Sequence, residues 1–578
     1  MAGTTGRRPD RISRPGRYQG FSDPRYDVVR TSQYVRSHDG TRLAIDIYRP
    51  AHGDRPADGA FPAIVESMRY LRRRASPQRG STNYVEHGYV YVVADQRGAG
   101  ASFGTRRGDY TPEELADNAH LIEWVARQPW CDGQVAMTGT SYGGITQLLT
   151  AALRPAGLVA IAPTVASFDA YLRTHPHGVW TPQHFIADAT RPMDLGLPPH
   201  DLDLRVDADL DGSDLAAARQ AHLDNVYPHH VQTPGLLRDT IVATLGYAPG
   251  TDSSPSAQAA AIRASGVAIH QTAGWHDGAV TSQLAAFRSL GGQITVGPWN
   301  HWDIDPEVDG IEHLRFFDRY VKGIDNGFDT EPPVRLLQPA GEWRLLPTWP
   351  PPDTHDVRLH LGPGRAGIVD SVNDGILTAG TQPGAVDEYA VDRDVVVFDG
   401  TYDKLSRRWD GDLTPGLDRR ALTYTGPALV RDLEVVGHPL VHLWLQSTSA
   451  DGYLFVFLED VDGAGRSHYV TDGLLRLSHR RVDPDAEPWR SLGVPFHPGR
   501  RADHAPLVPG EVADVVLDLY ATSHRFRAGH RVRLTVAGAM EHYFETPDDL
   551  RLGAAPTLRI HHGRLHPSGL TLPVDDRS

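Results

Sequence analysis

At 578 residues the chain is too long for one hydrophobic core, so two or three domains are expected. Its 40% hydrophobic and 22% charged residues are those of an ordinary soluble globular protein. A formal charge of -15 argues against a nucleic-acid partner, because the one basic run, Arg72-Arg73-Arg74, is too short to track a phosphate backbone.

Residues 1–25 are rich in Arg, Gly and Pro and read as a loose arm; Met1 to Arg17 lacks an apolar segment, so no signal peptide is expected. Two strand-like runs from Tyr34 to Tyr48 flank His38-Asp39-Gly40-Thr41, a hairpin signal. Buried strands are then expected at Pro62–Glu66, Tyr89–Ala94, Val135–Thr138, Leu158–Ala162, Val267–Thr272 and Ile294–Val296. Short apolar runs of this kind, alternating with helices, predict a mainly parallel sheet covered on both faces. One intervening helix is well signalled. Thr111 is its N-cap, Pro112 takes the first position, Glu114 completes a capping box, and Leu115, Ala119, Ile122, Val125 and Ala126 share a face.

The run Val135 to Thr138 enters Gly139-Thr140-Ser141-Tyr142-Gly143-Gly144, and an apolar helical run, Ile145 to Leu153, leaves it. This strand–turn–helix setting of G-x-S-x-G holds a serine hydroxyl clear of the sheet, with glycines at 139 and 143 removing the side chains that would clash. The rhythm breaks over 168–262, where strand character is slight and helices are expected at Ser213–His222 and at Pro234–Leu245, the latter N-capped by Thr233. We read an inserted helical cap. Within it Asp207-Ala208-Asp209-Leu210-Asp211-Gly212 begins like a calcium loop, but Ala218 stands where the bidentate Glu belongs, so an acidic helix-capping turn is expected. Beyond Trp349-Pro350-Pro351-Pro352 period-two alternation dominates, as in Val532, Leu534 and Val536 against Arg531, Arg533 and Thr535. Together these predict an α/β-hydrolase sheet with a helical cap, followed by an all-β jelly-roll sandwich. The expected divisions are 1–167 and 263–348 for the sheet domain, 168–262 for the cap and 349–578 for the sandwich.

A serine hydroxyl needs a base to take its proton, and the base needs an orienting carboxylate. On α/β-hydrolase sheets the acid and then the histidine follow the serine in sequence. Asp277, in Ala273-Gly274-Trp275-His276-Asp277-Gly278, and His301, in Gly297-Pro298-Trp299-Asn300-His301, each follow a predicted strand and so sit at neighbouring carboxyl ends with Ser141. Asp277 could instead cap the next helix, His301 is one of 29 histidines, and Asp303 and His276 are rivals for acid and base. As an ordered set, Ser141, Asp277 and His301 outweigh those alternatives. The Tyr142 amide is one expected oxyanion donor. The other comes from Ser67 to Arg72, where Tyr70 offers a phenol but could equally be a packed aromatic.

The chain resembles the CocE/NonD family of serine hydrolases, which includes cocaine esterase, X-Pro dipeptidyl peptidases and α-amino acid ester hydrolases. The likeness lies in Arg69-Tyr70, the 95–102 run Asp-Gln-Arg-Gly-Ala-Gly-Ala-Ser, the Ser141 elbow, the Asp277 and His301 loops, Asp472-Gly473-Leu474-Leu475-Arg476 and Phe526-Arg527-Ala528-Gly529-His530-Arg531-Val532. It implies a triad of Ser141, Asp277 and His301, with the Tyr70 hydroxyl and Tyr142 amide as oxyanion hole. Arg69 departs from the proline common there, and Gly278-Ala279-Val280 replace the carboxylates that hold an ammonium group in the amino acid ester hydrolases. The expected activity is hydrolysis of a small-molecule ester through an acyl-enzyme. The alternatives are an X-Pro dipeptidyl peptidase, a β-lactam or amide acylase, and a non-catalytic ligand-binding protein. Phe168, Tyr171, Trp180 and Phe185 are candidates to line the acyl pocket. No metal or other cofactor is expected; His229-His230 and His561-His562 lack ligand spacing. The single cysteine, Cys131, favours a reducing cytoplasmic setting, no membrane contact is expected, and a homodimer is compatible with the sequence.

Overall fold

Alternating apolar segments with turns at both ends can bury their backbone polar groups only by pairing, and they do so in one large sheet. The computed structural model describes residues 17–80, 82–181, 184–197, 202–233, 235–338, 341–394, 402–403, 408–409, 415–540, 544, 550 and 554–575 (backbone only at 184–185, 402–403, 408–409 and 415). The main strands of the first sheet are β1 (Asp27–Arg36), β2 (Arg42–His52), β3 (Phe61–Met68), β4 (Val90–Asp95) and β5 (Cys131–Thr140). It continues through β6 (Leu158–Thr164), β7 (Ala268–Gly274), β8 (Gln293–Gly297), β9 (Val334–Leu337) and β10 (Trp343–Leu346). Their spatial order is β1-β2-β4-β3-β5-β6-β7-β8-β9-β10. From β4 across to β9 the neighbours run parallel, whereas β1, β2 and β10 are antiparallel additions at the two edges. The carboxyl ends of β3, β5, β7 and β8 therefore share one edge, and the loops carrying Tyr70, Ser141, Asp277 and His301 leave from them.

Helices α1 (Pro112–Ala126) and α2 (Tyr142–Ala152) cover one face of the sheet, packing Leu121, Ile122, Val125, Ile145 and Leu148 against Val65, Val92 and Met137. Thr111 caps α1 by accepting from the Glu114 amide, but Glu114 does not close a capping box. Its carboxylate is turned inward and accepts from the Tyr142 hydroxyl.

Among the described residues between β6 and β7, no strand joins the large sheet. Helices α3 (Ala170–Thr174), α4 (His184–Leu195), α5 (Ser213–His222) and α6 (Ala259–Ser265) stand there. The helix expected over Pro234–Leu245 is absent from the described part; residues 235–247 form turns closed by a Val242–Tyr247 bridge. The acidic turn caps α5 as expected, Asp209 accepting from the amides of Asp214 and Leu215. Returning to the sheet, α7 (Val280–Leu290) follows β7, and α8 (His313–Tyr320) packs on the opposite face from α1 and α2. Residues 17–25 are not loose, because Asp318 on α8 accepts from the Ser22 amide at 2.6 Å and Arg315 reaches the Gln19 carbonyl at 2.6 Å.

The remainder is an all-β domain. Its strands used below are β11 (Leu440–Ser447), β12 (Tyr453–Val461), β13 (Ser467–Arg476), β14 (Val512–Asp518) and β15 (Arg531–Ala537). Val532, Leu534 and Val536 point into its core as predicted. The opposite face of β15 is covered too: Arg533 and Thr535 are buried as well. A second layer covers them, and Arg533 is neutralised there by Asp418 at 3.2 Å and Glu459 at 3.7 Å. Alternation identifies a strand but not whether a further layer lies over its polar face. The two domains share an apolar core in which Trp275, Val280, Leu284 and Trp349 meet Val436, Trp489, Phe496 and Ala521. Among the described residues no helix is long and apolar enough to cross a membrane.

Candidate active site

Ser141 occupies the turn between β5 and α2 with φ 57° and ψ −111°, a conformation that costs a residue bearing a Cβ and is held by its surroundings. Its amide donates to the Thr164 carbonyl at 2.8 Å, tying the elbow to the end of β6. Gly139 meets the expected need for glycine, with φ 141° and a Cβ there 3.3 Å from the Gly143 backbone, but the second tight position is not Gly143. A Cβ at Gly143 would meet nothing closer than 3.6 Å, whereas one at Gly144 would lie 2.8 Å from Ala166 and 3.0 Å from the Thr164 carbonyl. Tyr142, first residue of α2, has no intrahelical acceptor for its N–H, and that donor sits beside the Ser141 hydroxyl.

Asp277 and His301 meet. His301 Nδ1 lies 2.6 Å from Asp277 Oδ2, with both side chains buried. The other carboxylate oxygen accepts from the Ala279 amide at 2.7 Å, so Asp277 also caps the turn before α7; its two roles coexist. The loops bearing the pair are joined by their backbones, Trp275 to Gly297 at 2.8 Å and His276 to Trp299 at 3.0 Å. Neither rival competes. Asp303 is exposed and accepts from Asn300 at 2.8 Å, and His276 is not among the residues lining the cavity that Ser141 lines.

Ser141, Asp277, His301, Tyr70 and Tyr142 all line one cavity. The Ser141 hydroxyl makes no hydrogen bond among the described residues, an arrangement common where a catalytic contact closes only around substrate. Tyr70 follows β3, its ring edge-on to Tyr142 at 6.1 Å, and burial raises the pKa of its phenol, keeping it protonated. Arg69 is what fixes this loop. Its guanidinium is fully buried, pairs with Asp109, reaches Thr190 of α4 at 3.3 Å, and lies 5.8 Å and 5.6 Å from the Tyr70 and Tyr142 rings. Glu114, behind Tyr142, is pushed by burial up to about 7.

Of the residues expected to line the acyl pocket, Phe168 lies in the interdomain core and Tyr171 is sealed between His175 and Arg238. Trp180 is seated near Tyr453 of the β domain, and the side chain of Phe185 lies outside the described residues. The wall consists instead of Tyr110, Leu172 and Ile186 together with Trp489, Pro495, Phe496, Asp518, Tyr520 and Phe544 from the β domain. No spacing in the sequence marks this second group, since it is scattered over loops, a short helix (Trp489–Leu492) and one strand end that only the docking of the domains brings to Ser141. Among the described residues, His38, Asp39 and Asp117 have metal-ligand spacing, but Arg97 occupies both carboxylates at 3.0 Å and 2.6 Å.

A serine on a strand–helix elbow, with an Asp–His pair on later strand ends of the same parallel sheet, is the arrangement of an α/β-hydrolase. Residues 39–303 match the model of the X-Pro dipeptidyl-peptidase (S15) family, and 326–571 match that of the X-Pro dipeptidyl-peptidase C-terminal non-catalytic domain. A Mycobacterium bovis protein named as a serine esterase is 34% identical over 95% of this chain and 96% of its own. The cocaine esterase of Rhodococcus sp. is 29% identical over 96% and 100%. The crystal structure of a CocE/NonD family hydrolase from Staphylococcus aureus, 20% identical, superposes with a TM-score of 0.69 over 95% of this chain and 94% of that one. The chain belongs to the CocE/NonD family of serine hydrolases.

Proposed function

We propose that the protein hydrolyses carboxylic esters of small molecules, with Ser141 as nucleophile, His301 as base and Asp277 as its orienting acid. The observation that carries this reading is the 2.6 Å contact of His301 Nδ1 with Asp277, in the cavity that Ser141 also lines. That contact puts the proton on Nδ1 and leaves Nε2 with a lone pair to receive the serine proton. Ser141 Oγ attacks the ester carbonyl as its proton passes to His301. The Tyr70 hydroxyl and the Tyr142 amide donate to the resulting oxyanion. Collapse breaks the bond to the alcohol, which leaves with the proton from His301. A water gives a proton to His301 as its oxygen attacks the acyl-enzyme, and the acid departs while Ser141 regains its proton.

A peptidase or amide acylase is the second reading, favoured by the family model matched over 39–303. The division of the chain at about 168, 263 and 349 is likewise proposed, supported by the gap in sheet strands between Thr164 and Ala268. The single, buried Cys131 fits a reducing cytoplasmic setting. A fluorophosphonate probe should label the protein, and Ser141→Ala should abolish labelling; undiminished labelling of the variant would remove Ser141 from the mechanism. Turnover of p-nitrophenyl acyl esters set against X-Pro amides then separates the two enzymatic readings.

A further inference from the structure

Three carboxylates line the cavity around Ser141. Asp277 is bonded to His301, and Asp109 is paired with Arg69. Asp518 faces His177 instead, in a contact that is an ion pair only when the imidazole is protonated. Its side chain, at the end of β14, is 4% exposed, and Oδ1 is fully shielded from solvent without a hydrogen-bond donor among the described residues. His177 Nε2 stands 3.7 Å from Oδ1, beyond hydrogen-bond range. Arg173, which also lines the cavity, lies over the Tyr110 ring at 5.7 Å. Burial pushes Asp518 up to about 7, against the lowering effect of its own backbone amide. A buried acceptor left unmet beside a cleft calls for a donor, and a ligand in the cleft can supply one.

The position is built. The backbone of Asp518 passes so close to β13 that a Cβ at Gly473 would lie 2.5 Å from the Asp518 carbonyl. The next turn is clamped to the same strand, the Tyr520 amide donating to the Asp472 carbonyl at 2.9 Å and Thr471 Oγ1 to the Tyr520 carbonyl at 2.9 Å. This gives Asp472-Gly473 a purpose that the hydrolase chemistry does not. The same side of the cavity carries Trp489, Phe496, Tyr520 and Phe544. A carboxylate set among aromatic faces suits a cation that donates hydrogen bonds, since ring faces attract positive charge and exclude the water that would compete for it.

We infer that Asp518, with the aromatic wall around it, is a subsite for a protonated amine on the substrate, so that the enzyme favours esters bearing a primary ammonium group over their neutral isosteres. The inference rests on the proposed hydrolase reading of Ser141. The test compares p-nitrophenyl 6-aminohexanoate with p-nitrophenyl heptanoate as substrates, and n-hexylammonium with 1-hexanol as competitive inhibitors of p-nitrophenyl butyrate turnover. The wild-type enzyme should favour the ammonium member at least tenfold in Ki or kcat/KM. Asp518→Asn should bring that ratio to within about twofold of one, and Asp518→Glu should retain a preference. A wild-type enzyme that binds n-hexylammonium no better than 1-hexanol and shows no aminohexanoate preference overturns the inference without need of a variant. So does a preference that survives in a folded Asp518→Asn protein. Ser141→Ala assayed on p-nitrophenyl heptanoate keeps the two readings apart: turnover that persists there defeats the hydrolase site, whereas Ser141-dependent turnover with no ammonium preference defeats only the subsite.

Discussion

The cavity has two unlike walls. One is made by loops leaving the carboxyl ends of β3, β5, β7 and β8, where Ser141, Asp277 and His301 each stand beside a glycine or an aromatic in a short motif. The other is made by Trp489, Phe496, Asp518, Tyr520 and Phe544 of the β domain, where no motif marks the residues. Chemistry needs fixed backbone geometry around a few atoms, so it leaves local patterns; a binding wall needs only shape and charge, which side chains from anywhere can supply. The domain that matches a model described as non-catalytic thus closes the site.

Substitutions on the first wall should strike turnover far harder than stability. Ser141→Ala should lower kcat by on the order of a million-fold, as nucleophile removal does in other serine hydrolases, with the thermal midpoint little changed. Asp277→Asn should cost about ten-thousand-fold, because the wrong imidazole tautomer is then favoured. Tyr70→Phe should remove about 2–4 kcal/mol of transition-state stabilisation, seen in kcat/KM for a p-nitrophenyl ester; a rate close to wild type would take the phenol out of the oxyanion hole. The second wall should show the reverse balance. Trp489 stacks on Phe496 at 5.4 Å within the interdomain core, so Trp489→Ala should cost about 3 kcal/mol in urea unfolding while the burst of p-nitrophenol from the acylation step persists. An unchanged midpoint would mean that the domains are not held there.

A smaller effect probes the seam behind the oxyanion loop. Glu114 titrates at about 7 when folded, against an ordinary 4.5. Its folded pKa is raised, so the stability it contributes is full below about 4.5 and is lost as pH climbs through about 7. Glu114→Gln does not titrate, and its stability relative to wild type should therefore rise by on the order of 2 kcal/mol between about pH 4.5 and about pH 8. A pH-independent difference would show that Glu114 is not the group responsible.

Much of the first wall was legible in the residues alone. Strand, turn and helix signals located Ser141, and the ordered loops after the later strands located Asp277 and His301. Arg69 was visible as a departure without a role, since its partners Asp109 and Thr190 are 40 and 121 residues away in sequence. The aromatic residues of the cap were legible as buried but not as to which side they face, so Phe168 and Tyr171 serve the core rather than the cavity. Glu114 had the spacing of a capping box, yet a buried tyrosine hydroxyl offered its carboxylate a partner that water at the helix end did not.

By itself the sequence determined the parallel sheet, the elbow and the loops that carry Ser141, Asp277 and His301, because backbone preference and hydrophobic period act over a few residues. Tertiary structure alone decided the surroundings of each carboxylate in the cavity, which face of β15 is covered, and which aromatics line the cavity. Those depend on how two domains dock, and docking is set by the sum of many distant contacts that no local pattern records.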